Sequence, residues 1–258
     1  MEAQVINKMI DTHCHLDKEE YENFDEIIKN MGKNFMIASG YNDKTNKNVL
    51  NLIKTNNNIF GTIGIHPGEV DNYDISILND LDKMLDTEKI VGVGEIGLDF
   101  YWNKDNKDKQ KKFFIEQIKL AKKHDLPIVI HSRDANNETL EILKSNLGKT
   151  KAILHCYSGS YELAKEFKKL GVKFGIGGVL TFKNSKKLVE VVENLDLSDF
   201  VLETDSPYLT PVPFRGKTNQ PYNIVYVAEK IAEIKKITFE EVVKQTTNNA
   251  NYIFNINI

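Results

Sequence analysis

The chain has 258 residues, of which 41% are hydrophobic and 28% charged, with a formal net charge of -3. This is a globular balance; no run approaches the ~18 consecutive apolar residues of a membrane span, and two cysteines, Cys14 and Cys156, cannot build a disulfide framework. A faintly acidic chain without a sustained basic run is ill suited to gripping long duplex DNA by charge, and the opening "MEAQVINKM" lacks the basic-then-apolar pattern of a leader, so a cytoplasmic protein is expected.

Short apolar, β-rich runs predict strands at 9–12, 34–38, 59–65, 90–95, 127–131, 152–155, 172–176 and 200–203. Amphipathic stretches fill the gaps. In "DKQKKFFIEQIKLAKKH" Phe114, Ile118 and Ala121 share one helical face. In "SYELAKEFKKLG" Leu163, Phe167 and Leu170 recur at i, i+4 and i+7, with Ser160 as N-cap and Gly171 as the stop. Two further helices are expected after Pro221, parted near Ile237 and Thr238. No internal repeat, low-complexity linker or composition break divides the chain, so residues 1–258 are expected to form one domain. Strands alternating with helices imply parallel pairing through right-handed crossovers. About eight such units in this length fit an α/β fold of the (β/α)8 TIM-barrel type. The competing open doubly wound sheet usually carries G-x-G-x-x-G after its first strand, and this chain has none there.

The chemistry collects at the C-terminal ends of these strands. The first ends in "DTHCHLD" with His13 and His15, the third in "GIHP" with His66, the fourth in "GVGEIGLD" with Glu95. The fifth ends in "PIVIHSRD" with His131, the sixth in "AILHCYSG" with His155, the eighth in "VLETDSPYL" with Asp205. One histidine at a strand end is ordinarily a hydrogen-bonded structural residue, and one "ETD" a solvated turn. Five of the six histidines gathered at one rim mark a site, because barrels build active sites at that face. Strand alternation turns His13 and His15 inward with Cys14 outward, and likewise His155 inward with Cys156 outward, so both thiols are expected to be packing residues.

Imidazoles mixed with carboxylates suit Zn, Mn or Fe and tolerate Mg. His13, His15, Glu95, His131, His155 and Asp205 are too many ligands for one tetrahedral ion; with Glu95 shared they suit two. Against 32 lysines stand only two arginines, Arg133 and Arg215, and both fall in rim segments where a planar fork can grip phosphate, with His66 as a third donor. "LDFYWNKD" places Phe100, Tyr101 and Trp102 just beyond Glu95, either as a self-packed loop or as a stacking platform for bases.

Together with "GVLTFKNS", "PFRGKTNQP" and "TTNNANYIF", these segments resemble the TatD family of metal-dependent deoxyribonucleases, in family order over essentially the whole chain. The resemblance implies a metal-dependent hydrolase barrel acting on DNA, commonly as a 3′ to 5′ exonuclease. It implies a first metal on His13, His15, Glu95 and Asp205, and a second on Glu95, His131 and His155. Asp205 would orient the attacking water and take its proton. Some members of the family have been assigned D-aminoacyl-tRNA deacylase activity, so ester or amide hydrolysis on the same site is the alternative. The expectation is thus two divalent ions (Mg, Mn or Zn) and a single-stranded or frayed 3′ end of DNA as partner, with no membrane and no obligate protein partner.

Overall fold

The computed structural model describes residues 8–258. Its strands are β1 (Ile10–Cys14), β2 (Phe35–Ser39), β3 (Ile59–Ile63), β4 (Ile90–Asp99), β5 (Ile128–Arg133), β6 (Ala152–Leu154), β7 (Lys173–Ile176) and β8 (Phe200–Leu202). The helices are α1 (Phe24–Asn30), α2 (Asp43–Thr55), α3 (Leu78–Met84), α4 (Lys107–Lys123), α5 (Asn136–Asn146), α6 (Tyr161–Lys169), α7 (Lys186–Asn194), α8 (Ile224–Lys235) and α9 (Phe239–Phe254). Every neighbouring pair of strands is parallel, in the order β1 to β8. The seam between the first and last strands is stitched just beyond β8: Asp205 N–H donates to the His13 carbonyl at 3.0 Å, and His15 N–H to the Ser206 carbonyl at 2.7 Å. Below them Asp11 accepts from the Thr204 N–H at 3.0 Å. The result is a (β/α)8 barrel, as the alternation predicts.

Two apolar layers follow from strands buried on both faces. The outer one packs Met36, Ile63, Ile96 and Ile130 against helix residues such as Phe114, Ile118 and Phe167. The inner one joins Ile10, Ile37, Val91, Val129, Ile153 and Val201 to Ile253 and Phe254 of α9. The last helix therefore plugs the barrel where its strands begin, and the other end is left for chemistry.

Two irregularities aim the ligands. Pairing runs Asp11 with Met36 but Cys14 with Ala38, so β1 carries one extra residue; Val93 pairs with Ile128 and Ile96 with Ile130, so β4 does too. Such bulges redirect side chains. Without the first, Ile10 and His13 would lie on opposite faces. With it Ile10 joins the inner layer, His13 still reaches the barrel mouth, and Cys14 packs in the outer layer. The fourth strand, expected to stop at Glu95, continues to Asp99 in register with Arg133. One edge of this extension pairs with β5; the other is covered by α4, whose buried face includes Gln110 and Gln117, two turns apart. Gln110 accepts from Asp99 N–H at 2.8 Å and donates to its carbonyl at 3.0 Å; Gln117 pairs with Ile65 in the same way at 2.7 and 3.0 Å. These amides stand in for a neighbouring strand, satisfying buried backbone groups beside His66 and Asp99.

Candidate metal centre

Glu95 stands at the centre, 4% exposed, with its two carboxylate oxygens facing different partners. Oε2 faces His13 Nε2 at 3.5 Å and His15 Nε2 at 3.7 Å. Oε1 faces His131 Nδ1 at 2.8 Å, His155 Nε2 at 2.9 Å and His66 Nε2 at 3.5 Å. Asp205 Oδ1 closes the first group, 3.7 Å from His13 Nε2 and 3.5 Å from His15 Nε2. The seven sequence-derived residues His13, His15, His66, Glu95, His131, His155 and Asp205 are thus brought together.

The set fits divalent ions. His13 Nε2 is buried and without a hydrogen-bond partner, yet surrounded by Glu95 and Asp205 oxygens. With metal–ligand bonds of about 2.0–2.1 Å in a tetrahedron, neighbouring ligand atoms lie about 3.4 Å apart, close to the 3.5–3.7 Å found around His13 and His15. Neither cysteine belongs to any metal-capable cluster among the described residues. For Cys156 the alternation argument does not apply, since β6 stops at Leu154 and Cys156 takes a left-handed φ of 47°.

Behind the ligands lies a row that the sequence reading did not single out. Ser39 serves two histidines: its Oγ is 3.1 Å from His13 Nδ1, and its carbonyl accepts from His15 Nδ1 at 3.0 Å. Asp99 Oδ2 sits 3.0 Å from His131 Nε2, and Asp99 Oδ1 accepts from the Tyr101 and Trp102 N–H groups, both at 3.0 Å. Glu203, fully buried, lies 3.7 Å from His155 Nδ1 and accepts the Cys156 N–H at 2.5 Å. Such partners fix ring orientation and raise ligand basicity. The signal for Glu203 was present: it lies two residues past Val201, whose side chain belongs to the inner layer.

Protonation follows from these contacts. Burial pushes the Glu95 carboxyl up, but the surrounding histidines, His155 and His66 foremost and then His13 and His131, outweigh it and hold it well below the usual range. Burial likewise opposes the Asp205 carboxylate, and the nearby His15 ring together with His155 overcomes it, so Asp205 is ionised near neutral pH. His66 is pushed down to about 3, chiefly by burial. Its Nδ1 accepts the Gly68 N–H at 3.0 Å, which leaves the proton of the neutral ring on Nε2, toward Glu95. His66 is therefore a neutral donor.

The centre opens into a cavity of about 290 Å³ lined also by Tyr41, Glu69 and Tyr208. Arg133, Arg215 and Trp102 do not line it. The Arg133 guanidinium lies over the Tyr101 ring at 4.2 Å and the Trp102 ring at 5.4 Å, and Trp102 itself is 73% exposed. Arg215 lies over Phe182 at 3.9 Å and donates to the Thr210 carbonyl at 3.1 Å. Both arginines are thus stacked on rim aromatics, outside the cavity that holds the histidines. A larger cavity, about 810 Å³, opens at the other end of the barrel, but its imidazole, His124, is occupied on both nitrogens by Asp82 and Asp86.

Comparison with known proteins agrees with this geometry. A sequence profile for TatD related DNase proteins matches residues 10–255. The uncharacterized metal-dependent hydrolase YabD of Bacillus subtilis is 40% identical over 254 residues, 96% of this chain and all of that one. The uncharacterized metal-dependent hydrolase YcfH of Escherichia coli is 33% identical, covering 96% of each chain. The crystal structure of YjjV, a TatD homolog from Escherichia coli, superimposes with a TM-score of 0.90 at 31% identity, covering 97% of this chain and 99% of that one. No helix among the described residues is long and apolar enough to cross a membrane.

Proposed function

This chain belongs to the TatD family of metal-dependent hydrolases, and from that premise we propose that it hydrolyses phosphodiester bonds of DNA from a 3′ end, with Glu95 shared between two divalent ions. The observation that carries the reading is the division of Glu95: one oxygen toward His13 and His15, the other toward His131 and His155. In this reading His13, His15, Glu95 and Asp205 hold one ion, and Glu95, His131 and His155 the other. Bound there, divalent ions would supply Lewis acidity toward the phosphoryl oxygens and make water a competent nucleophile near neutral pH.

The chain's own groups do the rest. Asp205, ionised and at the cavity wall, orients the attacking water and accepts its proton on a carboxylate oxygen. His66 Nε2–H is a neutral donor to an oxygen entering the cavity. Arg133, held flat by Tyr101 and Trp102, offers its free edge to a phosphate oxygen at the rim. A cavity of about 290 Å³ with Glu69 in its wall favours one chain terminus over the middle of a duplex. The net charge of -3 points the same way, since few phosphates can be neutralised at once.

The test offers the protein, with Mg, Mn or Zn, 3′-labelled single- and double-stranded DNA, a closed circle of the same sequence, and D-aminoacyl-tRNA. Metal-dependent release of mononucleotides from linear strands with the circle spared is the expected result. Linearisation of the circle at a matching rate would remove the end-directed reading, and hydrolysis of the aminoacyl ester alone would remove DNA as the substrate.

A further inference from the structure

The two halves of the centre are built unequally. Around His13 and His15 the ligand atoms stand 3.5–3.7 Å apart, too far for mutual hydrogen bonds and close to the spacing around a bound ion. Both rings are held in that pose by the protein's own contacts. Ser39 fixes each from behind, and Ser39 Oγ is itself bonded by Thr62 Oγ1 at 3.0 Å. The other half is closed. His131 Nδ1 and His155 Nε2 lie 2.8 and 2.9 Å from Glu95 Oε1 and 3.3 Å from each other, so the space between them is taken up by direct contact. Opening it means parting both histidines from Glu95, while Asp99 pins the far side of the His131 ring at 3.0 Å. The ligand counts differ as well: four residues with two carboxylates in the open half, three with only the shared Glu95 in the closed one.

Resting on the two-ion reading above, we propose that the centre loads in order. The half formed by His13, His15, Glu95 and Asp205 takes one ion first and retains it; the half formed by His131 and His155 takes a second, exchangeable ion. Activity then follows the free divalent-metal concentration through the second half alone, which makes that half a metal-responsive control point.

Manganese(II) tests this, because an isolated ion and a carboxylate-bridged pair have different paramagnetic resonance spectra. Metal-free full-length protein given one equivalent should show the six-line spectrum of a single bound ion. The spin-coupled spectrum should grow only at free manganese at least about tenfold higher, a difference of ~1.4 kcal/mol between the two steps. Asp205→Asn, checked for folding by circular dichroism, should weaken the first binding step at least about tenfold and shift the mononuclear signal. A coupled spectrum from the first equivalent onward would overturn ordered loading, as would an Asp205→Asn protein whose first step is unchanged. If that variant does not fold, the wild-type titration alone decides. No uptake of manganese at all would strike the metal-centre reading itself, a different result from simultaneous loading.

Discussion

On the proposed two-ion reading, replacing Asp99 by asparagine should cost the second ion far more than it costs the fold. One carboxylate does two jobs here: Oδ1 accepts two backbone N–H groups, from Tyr101 and Trp102, while Oδ2 faces His131 Nε2 at 3.0 Å. An amide has only one oxygen. If that oxygen keeps the two N–H groups, the amide nitrogen meets His131 Nε2 donor to donor. The ring can relieve this only by moving its proton to Nδ1, the atom that faces Glu95 and that would be needed for a metal. A hydrogen bond to a charged group contributes about 1.5–3 kcal/mol. Loss of a carboxylate behind a ligating histidine typically lowers metal affinity about 10–100-fold, or ~1.4–2.8 kcal/mol; the two figures agree. The assay is a metal titration of Asp99→Asn beside wild type. Trp102 fluorescence of the metal-free proteins would show whether the Tyr101–Trp102 turn is kept. The expected outcome is unchanged emission with a second ion bound about 10–100-fold more weakly. Affinity within twofold of wild type, with the turn intact, would refute the tautomer argument.

Three more outcomes follow from the same geometry. Glu95→Ala should lower the occupancy of both ions and abolish turnover, because one carboxylate touches both histidine pairs; elemental analysis showing two retained ions would contradict the shared role. Arg133→Lys should lower kcat/KM at least about tenfold, or ~1.4 kcal/mol, since a lysine keeps the charge but loses the planar fork and its stacking on Tyr101; unchanged kinetics would confine Arg133 to loop packing. Trp102→Ala should weaken single-strand binding by roughly 1–3 kcal/mol per stacked base, and in the wild-type protein an oligonucleotide should quench its fluorescence; equal binding by the two proteins would remove Trp102 from the substrate path.

The barrel and the ring of histidines and carboxylates at its mouth were legible in the sequence for one physical reason. A parallel strand buried on both faces must be a continuous apolar run, so a histidine or carboxylate just past its end stands out. What lay behind the ligands was not legible by that rule. Asp99 reads as a loop residue if the strand stops at Glu95; its pairing with Arg133 of β5 and the Gln110 clamp, eleven residues on, are both non-local. Ser39 is neutral and small, and its role depends on two rings from another strand. The bulges in β1 and β4 were also hidden, because they exist only as a mismatch of register with a neighbour. Where the arginines stack could not be inferred either: Arg215 meets Phe182, 33 positions earlier in the chain, a contact made by loops rather than by any periodicity.

The seam of the barrel has a consequence for how the protein is made. The bonds from Asp205 N–H to the His13 carbonyl and from His15 N–H to the Ser206 carbonyl join the end of β1 to the residues just past β8. A ribosome that has extruded everything through β7 has delivered His13, His15, Glu95, His131 and His155, yet the pocket still lacks a wall and β1 still has an unpaired edge. Arrival of β8 and the residues just past it closes the seam and supplies Asp205 to the pocket in one event, and α9 then fills the other end of the barrel. Truncation before residue 205 would leave an open sheet edge, which invites association with other chains, rather than a weakened enzyme.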